Sequence, residues 1–435
     1  MKLSNLRLEH NVPFEYGKNQ ARIICDMQAG FTDKKELWFS VDEEYADLLT
    51  DDVYDAFMVA LLYPAMYYHE DIEIVGNVSK RLWHNITSYV ESCVLDFEPK
   101  CKKISIKPRG FSDAEKSKYL HVGTGFSGGV DSFSTVTDNF FNNEDNDYKI
   151  DILFFFHVGQ YGNVNKKETW ERAENRFSIT KKFANEAKIP WSILMSSNLF
   201  DFYLPRWEYD VGLFCRVASI LVFQKVLKRY YVSNDYSYGE LRRMNFALGG
   251  ECIAEYAEAW LLPLFSTSTL DILSDGIQFK RSDKIQRIKD NPFVQKYLNV
   301  CVDTSEEHTG ATNCSCCRKC LETQFALDCA GVLSNFSNVF DIKKYKKNIF
   351  KYECHIVKHY GKNTFDTDNV NFARAKGKKL PSNLTANIAC TVYRVAHIFK
   401  VALTNPKKVF HRLFSKGFDV CEFYFWAELE PWAGI

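Results

Sequence analysis

Leu120–Ser132 reads LHVGTGFSGGVDS, a short run ending in a glycine-rich loop, and Phe133, Val136 and Phe140 then recur at helical spacing. A loop that follows a strand and opens a helix faces the first N–H groups of that helix, which have no intrahelical acceptor. The helix dipole adds to them, so the position favours an anion. Gly128 and Gly129 let the backbone approach an oxyanion without a Cβ in the way. Ser127 and Ser132 offer hydroxyl donors. Asp131 would repel a phosphate directly, so its expected role is to hold Mg²⁺ against the phosphate oxygens.

Two other glycine loops are excluded by what is missing. A Walker loop needs a Lys before its Ser or Thr, and none lies here. Gly123–Gly128 spells GxGxxG, but a dinucleotide site also needs an acid at the end of the second strand, where this chain has His157. A glycine turn with no ligand is disfavoured by the six-residue SGGVDS string in this context.

Outward from the loop, residues 119–330 alternate strands and helices. Ile150–Phe156 is nearly all apolar, as in a strand buried on both faces of a parallel sheet. Glu168–Lys188 reads as a polar helix, Trp191–Met195 as a strand, Val211–Arg229 as a long apolar helix and Tyr230–Val232 as a strand. The β-α-β-α-β-α-β order predicts an α/β fold with a doubly wound, mostly parallel sheet. Residues 1–118 read as an accessory α/β region, with strands Glu36–Val41 and Ile72–Val75. A helix over Asp52–Tyr68 is interrupted by Pro64, and a second helix covers Ser79–Phe97. Residues 331–435 read as helical, with solvated lysine runs at Lys343–Lys351 and Lys376–Lys379. The two flanks carry no chemical motif, which leaves them a scaffold or partner-binding role.

The 435 residues are too many for one ordinary core. Lys+Arg and Asp+Glu stand at 55 each, a balance that does not indicate a nucleic-acid-binding protein. The first residues lack a signal peptide's apolar run. The most apolar stretch, Asn387–Leu403, carries Arg394, His397 and Lys400 and reads as a buried or amphipathic helix rather than a membrane span. Fourteen cysteines, mostly scattered singly, suit free thiols and metal ligands in a reducing, cytoplasmic compartment.

Cys314, Cys317 and Cys320 follow C-x2-C-x2-C, with Cys301 upstream of the first and twelve residues between them. Four thiolates complete a closed tetrahedral Zn²⁺ site, and closed sites are structural. Cys316 stands as an alternative to Cys317, His308 as an alternative to Cys301, and an iron–sulfur cluster as the chemical competitor.

SGGxDS is the signature of the N-type ATP pyrophosphatases, or PP-loop enzymes, and Ser127–Ser132 resembles it at every position. With the downstream cysteines, residues 119–330 are most similar to 7-cyano-7-deazaguanine synthase. The resemblance implies a Rossmann-like sheet of the adenine nucleotide alpha hydrolase type. It implies ATP binding by Ser127, Gly128, Gly129, Val130, Asp131 and Ser132, with Mg²⁺ and a structural Zn²⁺ on Cys301, Cys314, Cys317 and Cys320. The implied activity is a ligase that adenylates a carboxylate or carbonyl oxygen, releases pyrophosphate and replaces AMP with a nitrogen nucleophile. Lys284, in Ser282-Asp-Lys284-Ile, matches the family's lysine at the start of a helix and becomes the catalytic cation beside Asp131. His157-Val-Gly-Gln-Tyr and Asp235-Tyr-Ser-Tyr partly match substrate segments, which nominates His157 and Asp235.

The chain also departs from the family. The first cysteine spacing is longer, the glycine between Ser237 and Tyr238 is missing, and Phe214-Cys-Arg216-Val is only a remnant of the family's Pro-Gly-Arg-Asn. The flanks have no counterpart in the small stand-alone enzyme and look like those of enlarged relatives in bacterial accessory or antiviral defence gene sets. A divergent small-molecule or macromolecular acceptor, a protein partner on the flanks, and sulfur insertion into tRNA are the alternatives this leaves.

Overall fold

The structure, a computed structural model, describes residues 1–159, 162–203, 212–247, 254–301 and 312–404, without the side chains of 244–247, 254–257, 397–398 and 400–404. Two compact units divide the chain: residues 1–127 with 134–278, and residues 128–133 with 279 onward.

The first unit is built on one ten-stranded sheet. Its strands are β1 (Lys2–Val12), β2 (Gln20–Gln28), β3 (Glu36–Asp42), β4 (Ile72–Val78), β5 (Ile106–Phe111), β6 (His121–Gly125), β7 (Ile152–His157), β8 (Trp191–Ser197), β9 (Leu227–Ser233) and β10 (Asp271–Asp275). Their spatial order is β10-β9-β6-β7-β8-β3-β2-β1-β4-β5. Six of the nine neighbour pairings are parallel; β8–β3, β3–β2 and β2–β1 are antiparallel. The fold is thus α/β with a mostly parallel sheet.

The boundary expected at residue 118 does not divide the structure. β3 pairs with β8 through Phe39↔Ser197 and Val41↔Met195, so residues 1–118 extend the same sheet. An unpaired β8 would present an open edge, and β3 closes it. The expected boundary at 330 falls inside the second unit, where Asn313 Nδ2 donates to the carbonyl of Val339 at 3.0 Å.

Helices α1 (Asp55–Tyr68), α2 (Lys80–Asn85), α3 (Glu91–Phe97), α4 (Val130–Val136), α5 (Lys167–Ala187), α6 (Phe200–Tyr203), α7 (Gly212–Leu221), α8 (Tyr238–Ala247) and α9 (Ala254–Leu261) run between and after the strands. Alternation along β7 sends Ile152 and Phe154 to the side of α1 and α7, where Phe154 meets Phe223 at 4.7 Å between centroids. Phe155 points the other way and meets Phe177 of α5 at 6.0 Å, so helices cover both faces. Pro64 does not interrupt α1: the helix is continuous, and every residue from Asp55 to Met66 is buried. That burial outweighs the roughly 3 kcal/mol that an interior proline costs a helix.

The long helix expected over Val211–Arg229 is also corrected. Val211 lies outside the described residues, α7 ends at Leu221, and Leu227 already belongs to β9. Between them the backbone tightens into three-residue turns, with Phe223 N donating to Ile220 and Gln224 N to Leu221. Gln224 Nε2 donates to Asp55 Oδ2 at 3.1 Å, which anchors the turn.

The second unit contains α10 (Arg281–Ile288), α11 (Pro292–Tyr297), α12 (Arg318–Cys329), α13 (Ile342–Lys358), α14 (Thr364–Ala375) and α15 (Asn383–Thr404). Leu321, Phe325, Phe336, Tyr352, Ile356 and Val370 are buried in it. No described helix is long and apolar enough to cross a membrane.

Candidate functional site

β6, β7 and β9 are parallel neighbours, so Gly125, His157 and Ser233 end at one edge of the sheet. The chain leaves that edge at Gly125 and enters the loop. Ser127 is exposed, and Gly128 has φ +76°, the left-handed region that glycine adopts freely. The Gly128 carbonyl accepts from Asn299 N at 2.7 Å. Val130 opens α4, with Ser132 Oγ donating to the Gly129 carbonyl at 3.1 Å.

Lys284 comes to Asp131. Lys284 Nζ lies 2.9 Å from Asp131 Oδ1, and Arg281 Nη1 lies 2.8 Å from Oδ2. Relative exposure of the side chains is 0% for Lys284, 9% for Arg281 and 13% for Asp131. Arg281 also pairs through Nε with Glu322 Oε1 at 2.9 Å. Burial holds the Glu322 carboxyl above its usual range, against the opposing pull of Arg281. Arg281 and Lys284 sit three residues apart on one face of α10. Asp368 of α14 fixes that helix by accepting from both Ser282 N and Ser282 Oγ at 2.9 Å. Arg281, Glu322 and Asp368 were not singled out from sequence; the i, i+3 spacing of Arg281 and Lys284 was the available signal.

The expected Mg²⁺ does not fit Asp131 as the residues stand. Both carboxylate oxygens already face cations, so the positive charge beside the loop comes from Lys284 and Arg281.

Cys301, Cys314, Cys317 and Cys320 are buried, and their sulfurs all lie within 4.8 Å of one another. A tetrahedron with Zn–S bonds of about 2.3 Å has edges of about 3.8 Å. The Cys314–Cys320 and Cys301–Cys317 sulfur separations are 3.8 and 3.9 Å. The four thiols therefore form a cluster that can hold zinc. The turn is stitched by Asn313, whose Oδ1 accepts from Val300 N at 2.8 Å and Cys301 N at 3.0 Å. Ser315, at φ +63°, turns the chain so that Cys317 caps α12 and Cys320 lies in its first turn. The surrounding thiols, Cys301 foremost, hold Cys314 well below the ordinary thiol range. Cys316 is half-buried and its sulfur lies 3.9 Å from that of Cys314, outside the four. His308 lies outside the described residues.

His157 and Asp235 belong to the first unit. His157 is fully buried with its ring edge-on to Trp170 at 5.1 Å, and burial pushes its pKa down to about 4. It is a neutral core imidazole rather than a base facing solvent. Gln160 and Tyr161 of the same segment lie outside the described residues. Asp235 is exposed, and its charge adds to that of Glu258 in raising the Arg216 pKa. A shallow groove of about 520 Å³ in the first unit, lined by Asp26, Lys34, Glu36 and Trp38, contains none of the expected site residues.

No protein-family model, curated protein or solved structure matches this chain.

Proposed function

We propose that Gly128–Ser132, with Lys284 and Arg281, binds the phosphates of ATP, and that the protein is an AMP- and pyrophosphate-forming ligase of the PP-loop type, similar to 7-cyano-7-deazaguanine synthase. The observation that carries this is the buried lysine and arginine held on Asp131 inside an SGGVDS loop. On this reading the sheet is of the Rossmann-like, adenine nucleotide alpha hydrolase type, and the cysteine cluster is a structural zinc site in a reducing, cytoplasmic setting. In support of the last point, the twelve described cysteines are all free thiols.

Asp131 holds the two cations until nucleotide arrives, and the incoming phosphate then takes over their charge. A substrate carboxylate oxygen attacks the α-phosphorus. The bond from that phosphorus to the bridging oxygen breaks, and its electron pair leaves with pyrophosphate. Lys284 and Arg281 stabilise the charge that develops there, the kind of preorganised electrostatics that usually dominates catalysis. A nitrogen nucleophile then adds to the activated carbon, AMP departs with the carbon–oxygen pair, and a proton passes to solvent. No side-chain nucleophile is required. A closed set of four buried thiols favours this chemistry over sulfur insertion, which needs a reactive sulfur.

The test is mass spectrometry of the purified protein incubated with ATP, ammonia and 7-carboxy-7-deazaguanine. Amide or nitrile with matching AMP is the expected product. AMP without consumption of the deazaguanine assigns a different acceptor, and intact ATP in all mixtures rejects the reading.

A further inference from the structure

We infer that His355, His359 and Asp366 form a second metal site, separate from the cysteine cluster, for a divalent ion of the zinc type. The ligand atoms of the three residues lie within 4.8 Å of one another, and all three are buried, at 0%, 9% and 2% exposure respectively. His355 lies in the last turn of α13 and His359 caps that helix. Their i, i+4 spacing puts both rings on one face, with centroids 4.1 Å apart. Asp366 projects from the first turn of α14, which Asn363 fixes by accepting from Asp366 N at 3.0 Å.

The protonation pattern suits an ion. His359 Nδ1 lies 2.9 Å from the His355 carbonyl, which can only accept, so Nδ1 is the donor and the neutral tautomer this selects leaves the Nε2 lone pair for a metal. A backbone carbonyl on one ring nitrogen is the usual way a metal-binding histidine is oriented. His355 Nε2 approaches Asp366 Oδ2 to 3.2 Å. That oxygen is buried and makes no well-aligned hydrogen bond, with the His355 imidazole facing it. Arg318 Nη2 stands 4.0 Å from it, supplying charge at the limit of an ion pair. A bound cation would satisfy Oδ2 and tie the end of α13 to the start of α14.

Two imidazoles and one carboxylate suit zinc or iron(II) far better than magnesium or calcium, which prefer oxygen ligands throughout. Three protein ligands also leave a fourth position for water or substrate, unlike the closed cysteine set. None of this depends on the ATP reading.

The experiment is metal analysis of the full-length protein, followed by titration of the stripped protein with Co²⁺. About two ions per chain are expected, with thiolate charge-transfer absorption arising from only one. His355→Gln and His359→Gln should each lower the content to about one ion and keep the thiolate band. Wild-type protein that saturates at one ion, or variants that still bind two, overturn the inference. The wild-type titration decides the matter even if the variants fold poorly.

Discussion

Lys284 Nζ lies 2.9 Å from Asp131 Oδ1 with the lysine wholly buried, so a residue of the glycine loop and a helix 150 positions downstream in sequence share one charge pair. Arg281 completes the set on the other carboxylate oxygen. Removing the aspartate takes a carboxylate away from a buried ammonium. Breaking a buried pair in this way typically costs about 3–5 kcal/mol. Asp131→Asn should therefore lower unfolding stability by about that amount, measured by urea denaturation, and adding Lys284→Met should recover part of it. If phosphate replaces the carboxylate, pyrophosphate should stabilise Asp131→Asn more than wild type. Equal stabilisation of both would contradict the exchange of partners.

Gly128 sits at φ +76°, and a Cβ built there meets nothing nearer than Asn299 Cβ at 3.4 Å. The cost of Gly128→Ala is therefore conformational, about 1–2 kcal/mol. Thermal unfolding should show that loss, and nucleotide affinity should fall as the loop relaxes. An alanine variant as stable as wild type would place the loop in a different conformation.

The cysteine cluster should hold one zinc whose removal by a chelator lowers the melting temperature, because metal affinity at such a site is folding free energy. Cys317→Ser should bind that zinc poorly, since it breaks a fully buried ligand set. Iron and sulfide in the purified protein would replace the zinc assignment with a cluster.

His157 carries a pH signature. Its folded pKa is about 4 against an ordinary 6.5, so the unfolded chain takes up a proton that the native core refuses. Its contribution is complete above pH 6.5 and is lost as pH falls towards 4. Between pH 7.5 and pH 5 the loss is about 2 kcal/mol, and His157→Phe should remove that part of the slope. An unchanged slope would mean that the ring is solvated.

The sequence made the loop legible because six adjacent residues carry it, and it made the cysteine cluster legible because thiol spacing is local. Parallel strands such as Ile152–His157 were visible as apolar runs. β1 was not, because register shifts after Ser4 and after Glu9, with Asn5 at φ 51°, break its alternation. The sheet's continuity past residue 118 rests on pairing between residues more than 150 positions apart, which no local pattern encodes. Lys284 was nominated through its motif. Its partner Arg281 and the link to Glu322 arise only when α10 and α12 are brought together. His355 and His359 showed an i, i+4 spacing, but Asp366, which gives that spacing chemical meaning, arrives from another helix.

The most direct test of the loop's role is calorimetric titration with α,β-methylene-ATP, which cannot be cleaved between the α and β phosphates and requires no acceptor. Saturable binding by wild type, weakened at least about tenfold in Lys284→Met, a loss of about 1.4 kcal/mol, is the predicted result. Absence of binding to folded wild-type protein at millimolar nucleotide would contradict the account.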